Sequence, residues 1–142
     1  MTEIMFHNAS KLNNIELQIL DFTISRTASI RNALIKIDGN NKGFLIVLDN
    51  TKKVIGTITD GDIRRSLLWQ SNMSDSILFK AHFKYLKDTD GFDRVCELFK
   101  SGKINFLPIC NHEMLLVNLI TKKQFHTLLL HDKVWNLNDD FS

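Results

Sequence analysis

The chain is predicted to be an α/β protein, a β-α-β-β-α unit written twice about a pseudo-twofold axis, and two observations carry that reading. The segment Gly56-Thr-Ile-Thr-Asp-Gly-Asp-Ile-Arg-Arg-Ser-Leu-Leu68 returns, degraded, as Asn118-Leu-Ile-Thr-Lys-Lys-Gln-Phe-His-Thr-Leu-Leu-Leu130. Setting Thr59 on Thr121 gives an offset of 121 − 59 = 62, which runs without a gap from Thr27 on Thr89 to Leu68 on Leu130. The second observation is the apolar rhythm, which survives where identity fails: Ile30, Ala33, Leu34 and Ile37 fall on Phe92, Val95, Cys96 and Phe99. A fixed internal period marks a repeated structural unit.

Each element follows from its local pattern. Phe22 to Ile24 reads as a short first strand. Ile30, Ala33, Leu34 and Ile37 form an i, i+3, i+4, i+7 stripe, hence a helix, which should stop at Asp38-Gly39 because glycine accepts the left-handed conformation at a helix end. Phe44 to Leu48 is continuously apolar, as a strand buried on both faces is. Asp49 to Lys52 is turn chemistry, and Val54 to Thr57 returns as the hairpin partner. A second helix starts at Thr59 and turns Ile63, Leu67 and Leu68 inward. Copy two repeats the order: strand Phe83 to Leu86, helix Thr89 to Lys100 ending at Gly102, hairpin Ile104 to Ile109 and Leu115 to Leu119, and a closing helix from Thr121 to about Leu130.

The expected organisation is an arm over 1–20, whose Leu12, Ile15 and Ile19 suit a short amphipathic helix, then repeat one over 21–69. A linker follows over 70–82, in which Met73, Ile77, Leu78 and Phe79 argue for packing. Repeat two takes 83–131, and a polar tail over 132–142 is frayed unless Trp135 docks.

Bulk composition narrows the function. At 142 residues and 44% apolar the chain can bury one core, removing roughly 65–70% of the unfolded surface from water. A net charge of +2, with Lys and Arg scattered, argues against nucleic acid. No signal peptide and no run near the ~20 apolar residues a bilayer requires is present, so no membrane partner is expected. Cys96 and Cys110 lie in apolar stretches without a CxxC or disulfide framework and read as buried thiols in a reducing cytoplasm.

The strand-to-helix junction at Thr59 carries the chemistry. First-turn amides and the positive end of the helix dipole make such a junction a ready phosphate site. Asp62, one turn in, can accept from both hydroxyls of a ribose cis-diol. Phe44, Leu45 and Ile46 offer an apolar wall for a purine, whose edge backbone groups near Ile24 can read. The competing reading is that Thr59 and Asp62 form a helix capping box and bind nothing. Copy two puts Gln124 at the place of Asp62 and Asn118 at that of Gly56. Gln124 still suits a capping box but is a poor ribose anchor, which leaves a weak second site of Thr121, Lys122 and Gln124.

Other constellations are thinner. Asp60 and Asp62 sit two apart on a helix and point apart, which disfavours a metal pair. Arg64 and Arg65 suit a solvated face or a phosphate clamp. His7, His82, His112, His126 and His131 lack metal spacing, and no nucleophile context exists, so no catalytic residue is assigned.

The doubled unit, with Gly56, Thr59 and Asp62 at the junction and Leu107-Pro108-Ile109 in copy two, resembles a tandem CBS domain, the Bateman module, over about Asp21 to His131. The wording Thr59-Asp-Gly-Asp-Ile-Arg-Arg65 is most similar to CBS pairs attached to bacterial sugar-phosphate nucleotidyltransferases and arabinose-5-phosphate isomerases. The resemblance implies a non-catalytic, allosteric regulatory module, cytoplasmic and homodimeric, with no cofactor. The implied ligand is AMP, ADP or ATP, in a pocket of Ile24, Ser25, Thr27, Phe44, Leu45, Ile46, Thr59, Asp60 and Asp62. The apolar faces Ile30 to Ile37 and Phe92 to Phe99 resemble the surfaces through which CBS pairs stack. A nucleotidyltransferase needs a glycine-rich loop after the pair, and none occurs before Ser142; no isomerase domain precedes it. The expectation is thus a module that controls or belongs to a sugar-phosphate nucleotidyltransferase, either as the regulatory piece of a longer enzyme or as a free-standing pair acting in trans. A ligand-free dimerisation module, or the regulatory part of an isomerase, are the alternatives.

Overall fold

The computed structural model describes residues 19–69 and 72–130; the expected arm helix at Leu12 and Ile15 and the tail residue Trp135 lie outside them. After a 3-10 turn at Ile19–Phe22 come β1 (Thr23–Ser25), α1 (Ile30–Asn40), β2 (Phe44–Leu48), β3 (Val54–Thr59) and α2 (Asp60–Leu68). The order repeats as β4 (Leu86–Lys87), α3 (Phe92–Lys100), β5 (Phe106–Cys110), β6 (Leu116–Thr121) and α4 (122–130).

Two three-stranded sheets result, ordered β1-β2-β3 and β4-β5-β6, each with a parallel first pair and an antiparallel hairpin. The offset of 62 holds down to register: Ile24 faces Val47 as Leu86 faces Ile109, and Phe44 faces Thr59 as Phe106 faces Thr121. Even the register shifts coincide, between Val47 and Leu48 and between Ile109 and Cys110. Irregularities kept in both copies are inherited structure rather than noise.

Because β2 is buried on both faces, its alternate residues serve two cores. Leu45 and Val47 join Ile30, Ala33, Ile37, Ile58 and Ile63 beneath the helices of repeat one. Phe44 and Ile46 face the other way, joining Phe22, Val54, Cys110 and Leu119 between the repeats. Phe44 stacks on its own equivalent, Phe106, with ring centroids 3.8 Å apart and planes 4° from parallel. Lys53 bridges its equivalent, Leu115, in antiparallel fashion. The pseudo-twofold axis therefore passes between both pairs. Burial here raises the Cys110 thiol to about 11, with Asp88 adding to the effect, so this cysteine stays an inert thiol.

Several element boundaries depart from expectation, and three of them change a cap or a pairing. Helix α1 does not stop at Gly39 but runs to Asn40, and Asn41 takes the left-handed turn at φ 61°, its amide bonding the Ile37 carbonyl. Asparagine tolerates that conformation, so the glycine is not needed for it. Helix α3 begins at Phe92, with Gly91 rather than Thr89 at its N-cap. Strand β4 shrinks to two residues, since β5 pairs with it only through Ile109 and Cys110, while Phe83 and Tyr85 pack into the core between repeats.

Residues 72–80 form a strap on repeat one. The first-turn amides of Ile30 and Arg31, which a helix cannot satisfy internally, donate to the Asp75 and Met73 carbonyls at 2.9 Å. Ile77 is buried in the repeat-one core, and Lys80 exchanges both backbone bonds with Thr57 at 3.0 and 2.9 Å. Among the described residues, no helix is long and apolar enough to cross a membrane.

Candidate functional site

Strand β3 gives way to α2 at Thr59, where two reciprocal bonds close the turn. The Asp62 amide donates to Thr59 Oγ1 at 3.1 Å, and the Thr59 amide donates to Asp62 Oδ2 at 3.0 Å. Copy two repeats this with an amide in place of the acid: the Gln124 amide donates to Thr121 Oγ1 at 3.2 Å, and the Thr121 amide to Gln124 Oε1 at 2.8 Å. The capping box is thus real in both copies, and what distinguishes them is the charge at its third position.

That charge is heavily committed. The Asp62 side chain is 9% exposed, and its Oδ1 faces Arg65 at 2.5 Å and Lys80 Nζ at 3.3 Å. A carboxylate has about four acceptor positions, and three are taken. Capture of a cis-diol requires two, so one partner must yield; Lys80, the longer contact on a largely exposed side chain, is the weakest held. Asp60 points elsewhere and pairs with Arg64 at 2.7 Å, which keeps the two carboxylates apart. Both arginines are therefore engaged by acids of their own helix.

Burial acts to raise the Asp62 pKa, but hydrogen bonds from Thr59, Arg65 and Lys80 together outweigh it, and the carboxyl is held below its ordinary 3.8. A depressed native pKa stabilises the fold above the unfolded value, and that contribution is lost as pH falls through the native one. Stability is expected to fall as the pH drops below about 4, and to fall less steeply in Asp62→Asn. Urea titrations across that range check it; identical acid limbs for the two proteins would exclude Asp62 from the linkage. Asp49, also depressed by bonds from Thr51 and Lys53, supplies part of the limb that remains.

The other expected residues do not gather at this junction. Leu45 and Ile46 are fully buried and Phe44 is 4% exposed, so these three are core and offer no wall to a base. Ile24 is likewise buried in the repeat-one core. Ser25 lies beside Leu48, whereas Thr59 lies beside Phe44, so Ser25 and Thr27 sit at the opposite end of the sheet, roughly four residues or 13 Å away. There they bond one another, Oγ to Oγ1 at 2.9 Å.

Apolar surface beside Asp62 comes instead from Trp69, Leu78 and Phe79, of which the sequence marks the last two only as linker residues that pack. A cleft of about 350 Å³ is lined by Asp62, Arg65, Ser66, Trp69, Leu78, Phe79 and Lys80. Trp69 is 83% exposed, and with Leu78 and Phe79 it gives the cleft an aromatic and aliphatic side. The strap builds half of it, and one sequence signal pointed there. A Cβ on Gly56 would meet the Phe79 ring at 2.4 Å and the Lys80 carbonyl oxygen at 2.5 Å, so the glycine marks the close crossing of the strap. At the equivalent place in copy two, Asn118 offers its own Oδ1 to the Leu119 amide at 2.8 Å, replacing the bond that the Lys80 carbonyl makes to Thr57.

Among the described residues no group of three His, Cys, Asp or Glu could hold a metal ion. In copy two, Thr121 and Gln124 line a smaller cleft, and the Lys122 amide bonds the Asn105 carbonyl at 2.8 Å.

Residues 16–68 match the family model of the CBS domain. The chain is similar to a homoserine O-acetyltransferase of Methanobrevibacter ruminantium, 26% identical over 107 residues, which are 75% of this chain and 22% of that protein. It is also similar to arabinose 5-phosphate isomerase KdsD of Escherichia coli, 38% identical over 42 residues, 30% of this chain and 13% of the isomerase. The chain thus spans less than a quarter of the length of these relatives. Among solved structures, the CBS domain pair/ACT domain protein of Thermotoga maritima aligns with a TM-score of 0.66 and 19% identity over 78% of this chain and 88% of that one. A CBS domain protein of Pyrobaculum aerophilum complexed with AMP aligns with a TM-score of 0.63 and 17% identity over 72% and 80%. Residues 16–68 are a CBS domain, and the chain as a whole has the fold of a tandem CBS pair.

Proposed function

We propose that this chain is a non-catalytic regulatory module whose copy-one junction binds an adenosine nucleotide and passes occupancy to an enzyme. The observation that carries the reading is the Asp62 carboxylate, capped onto Thr59 at the mouth of a cleft with an aromatic side. The ribose hydroxyls take two acceptor positions on Asp62, Lys80 swings from Oδ1 to the phosphate, and the base lies against Trp69 or Phe79. The AMP complex of the similar Pyrobaculum protein supports the ligand class. Such a ligand shifts its enzyme only by the difference in its affinity for two states of the module, typically about 1–3 kcal/mol.

The enzyme served is a sugar-phosphate enzyme. The run Thr59 to Arg65 supports this, and the match to KdsD favours an isomerase over a nucleotidyltransferase.

Capping and binding separate experimentally. Loss of either cap hydroxyl, in Thr59→Ala or Thr121→Ala, should cost about 0.5–2 kcal/mol of stability. Saturating AMP should raise the melting temperature of Thr121→Ala as it raises that of the wild type, and that of Thr59→Ala by less. A rise lost in Thr121→Ala and kept in Thr59→Ala would move the working site to copy two.

The module is a homodimer in this reading, though not through the stripes first expected. Ile30, Ala33 and Ile37, like Val95, Leu98 and Phe99, are buried in the cores of their own repeats. Exposed apolar side chains are instead Ile35 on α1, 65% exposed, and Leu68 at the end of α2, which is 81% exposed rather than turned inward as its spacing predicts. Sedimentation at tens of micromolar should give twice 16.4 kDa, and a mass of 16.4 kDa would refute self-association.

A further inference from the structure

The cleft of copy two differs from that of copy one in its chemistry as well as its size. About 280 Å³ in volume, it lies where the two repeats meet and is lined by Phe22 and Lys42 from the first, and Leu119, Thr121, Lys123, Gln124 and Thr127 from the second. No acid lines it, and neither Lys42 nor Lys123 forms an ion pair among the described residues.

The hydrogen-bond network turns Thr121 and Gln124 into donors, whereas Thr127 spends its hydroxyl hydrogen on the Lys123 carbonyl at 3.1 Å. Gln124 spends its oxygen on the Thr121 amide, which leaves its NH2 to donate. Thr121 Oγ1 accepts from the Gln124 amide, so its own hydroxyl hydrogen is available. The two lysines bring three donors each.

Neither lysine is part of the repeat. At the offset of 62, Lys42 corresponds to Ile104 and Lys123 to Gly61, while Gln124 replaces the acid Asp62. The copy-two cleft thus lacks the negative charge of copy one and carries two positive ones, Lys42 from repeat one and Lys123 from repeat two. Copy one, by contrast, neutralises Asp62 with Arg65 and Lys80.

We infer that this cleft is an anion site for a small phosphate compound, recognised through Lys42 and Lys123 and without a ribose diol. The volume sets the size, since it falls just under the roughly 300–1,000 Å³ of pockets that enclose drug-sized ligands. Phe22 and Leu119 line the cleft but are themselves nearly buried, so little apolar contact is on offer and the phosphate groups carry the recognition. This inference does not depend on nucleotide binding at copy one.

Inorganic pyrophosphate is the probe, titrated calorimetrically and by amide chemical shifts of the whole chain. Binding is expected to shift the amides of residues 121–127, to weaken at least tenfold in Lys42→Ala/Lys123→Ala, and to weaken as salt is raised. Both lysines are exposed and unpaired among the described residues, so the double variant should keep the wild-type melting temperature. Asp62→Asn should bind pyrophosphate as the wild type does, whatever it does to AMP. Affinity unchanged in the double lysine variant, shifts confined to residues 59–65 and 78–80, or no pyrophosphate binding at all would each overturn the inference. Loss of AMP binding alone would touch only the copy-one reading.

Discussion

Gly56→Ala is expected to destabilise the protein by about 1–3 kcal/mol, the range for forcing a methyl group into an already filled space. The added Cβ would lie 2.4 Å from the Phe79 ring and 2.5 Å from the Lys80 carbonyl oxygen. A ring can rotate away, but a backbone carbonyl moves only with its strand. Relief therefore requires the strap to lift, which breaks the two bonds between Lys80 and Thr57 and loosens Lys80 from Asp62. Gly39→Ala is the control, because nothing lies within 4 Å of a Cβ there and the residue sits inside α1. That substitution should raise stability by about 0.5–1 kcal/mol, the helix cost of glycine relative to alanine. Denaturant unfolding of both variants checks the pair of signs, and a Gly56→Ala protein as stable as the wild type would mean that the strap does not cross β3 as described.

The doubling was legible because it is written in several independent ways. Identities such as Phe44 with Phe106 and the apolar spacing of the opening helices share one offset, and the register shifts of both hairpins obey it too. The capping boxes were also legible, since Thr-x-x-Asp and Thr-x-x-Gln are local patterns whose bonds span three residues. Local patterns fail where two residues compete for one role. Gly39 and Asn41 can both end a helix, and the choice between them depends on where Ile37 must turn to reach the core.

The site was less legible than the fold, for a physical reason. The run Phe44 to Ile46 fits both a strand buried on two faces and a wall for a base by its residues alone, and a fully buried strand cannot also present a wall. Its partners, Ile30 on one side and Phe106 on the other, were themselves visible in the repeat. What no local pattern indicates is the pairing of Lys80 with Asp62, eighteen residues apart in sequence (80 − 62 = 18), or the meeting of Lys42 with Lys123 in one cleft. Gly56 was the exception, a residue whose missing side chain marks a close crossing without naming the segment that crosses.

Calorimetry with AMP, ADP and ATP on the wild type and on Asp62→Asn tests the copy-one site most directly. Asparagine keeps an oxygen for the Thr59 amide, as Gln124 does for Thr121, so the helix stays capped while the charge is removed. Losing a charged acceptor should weaken nucleotide binding by about 1.5–3 kcal/mol, on the order of ten- to a hundredfold. The expected result is a saturable heat for at least one nucleotide in the wild type and that loss in Asp62→Asn. Equal affinities in the two proteins, or no heat from any of the three nucleotides in the wild type, would contradict it and leave Thr59 and Asp62 as a helix cap alone.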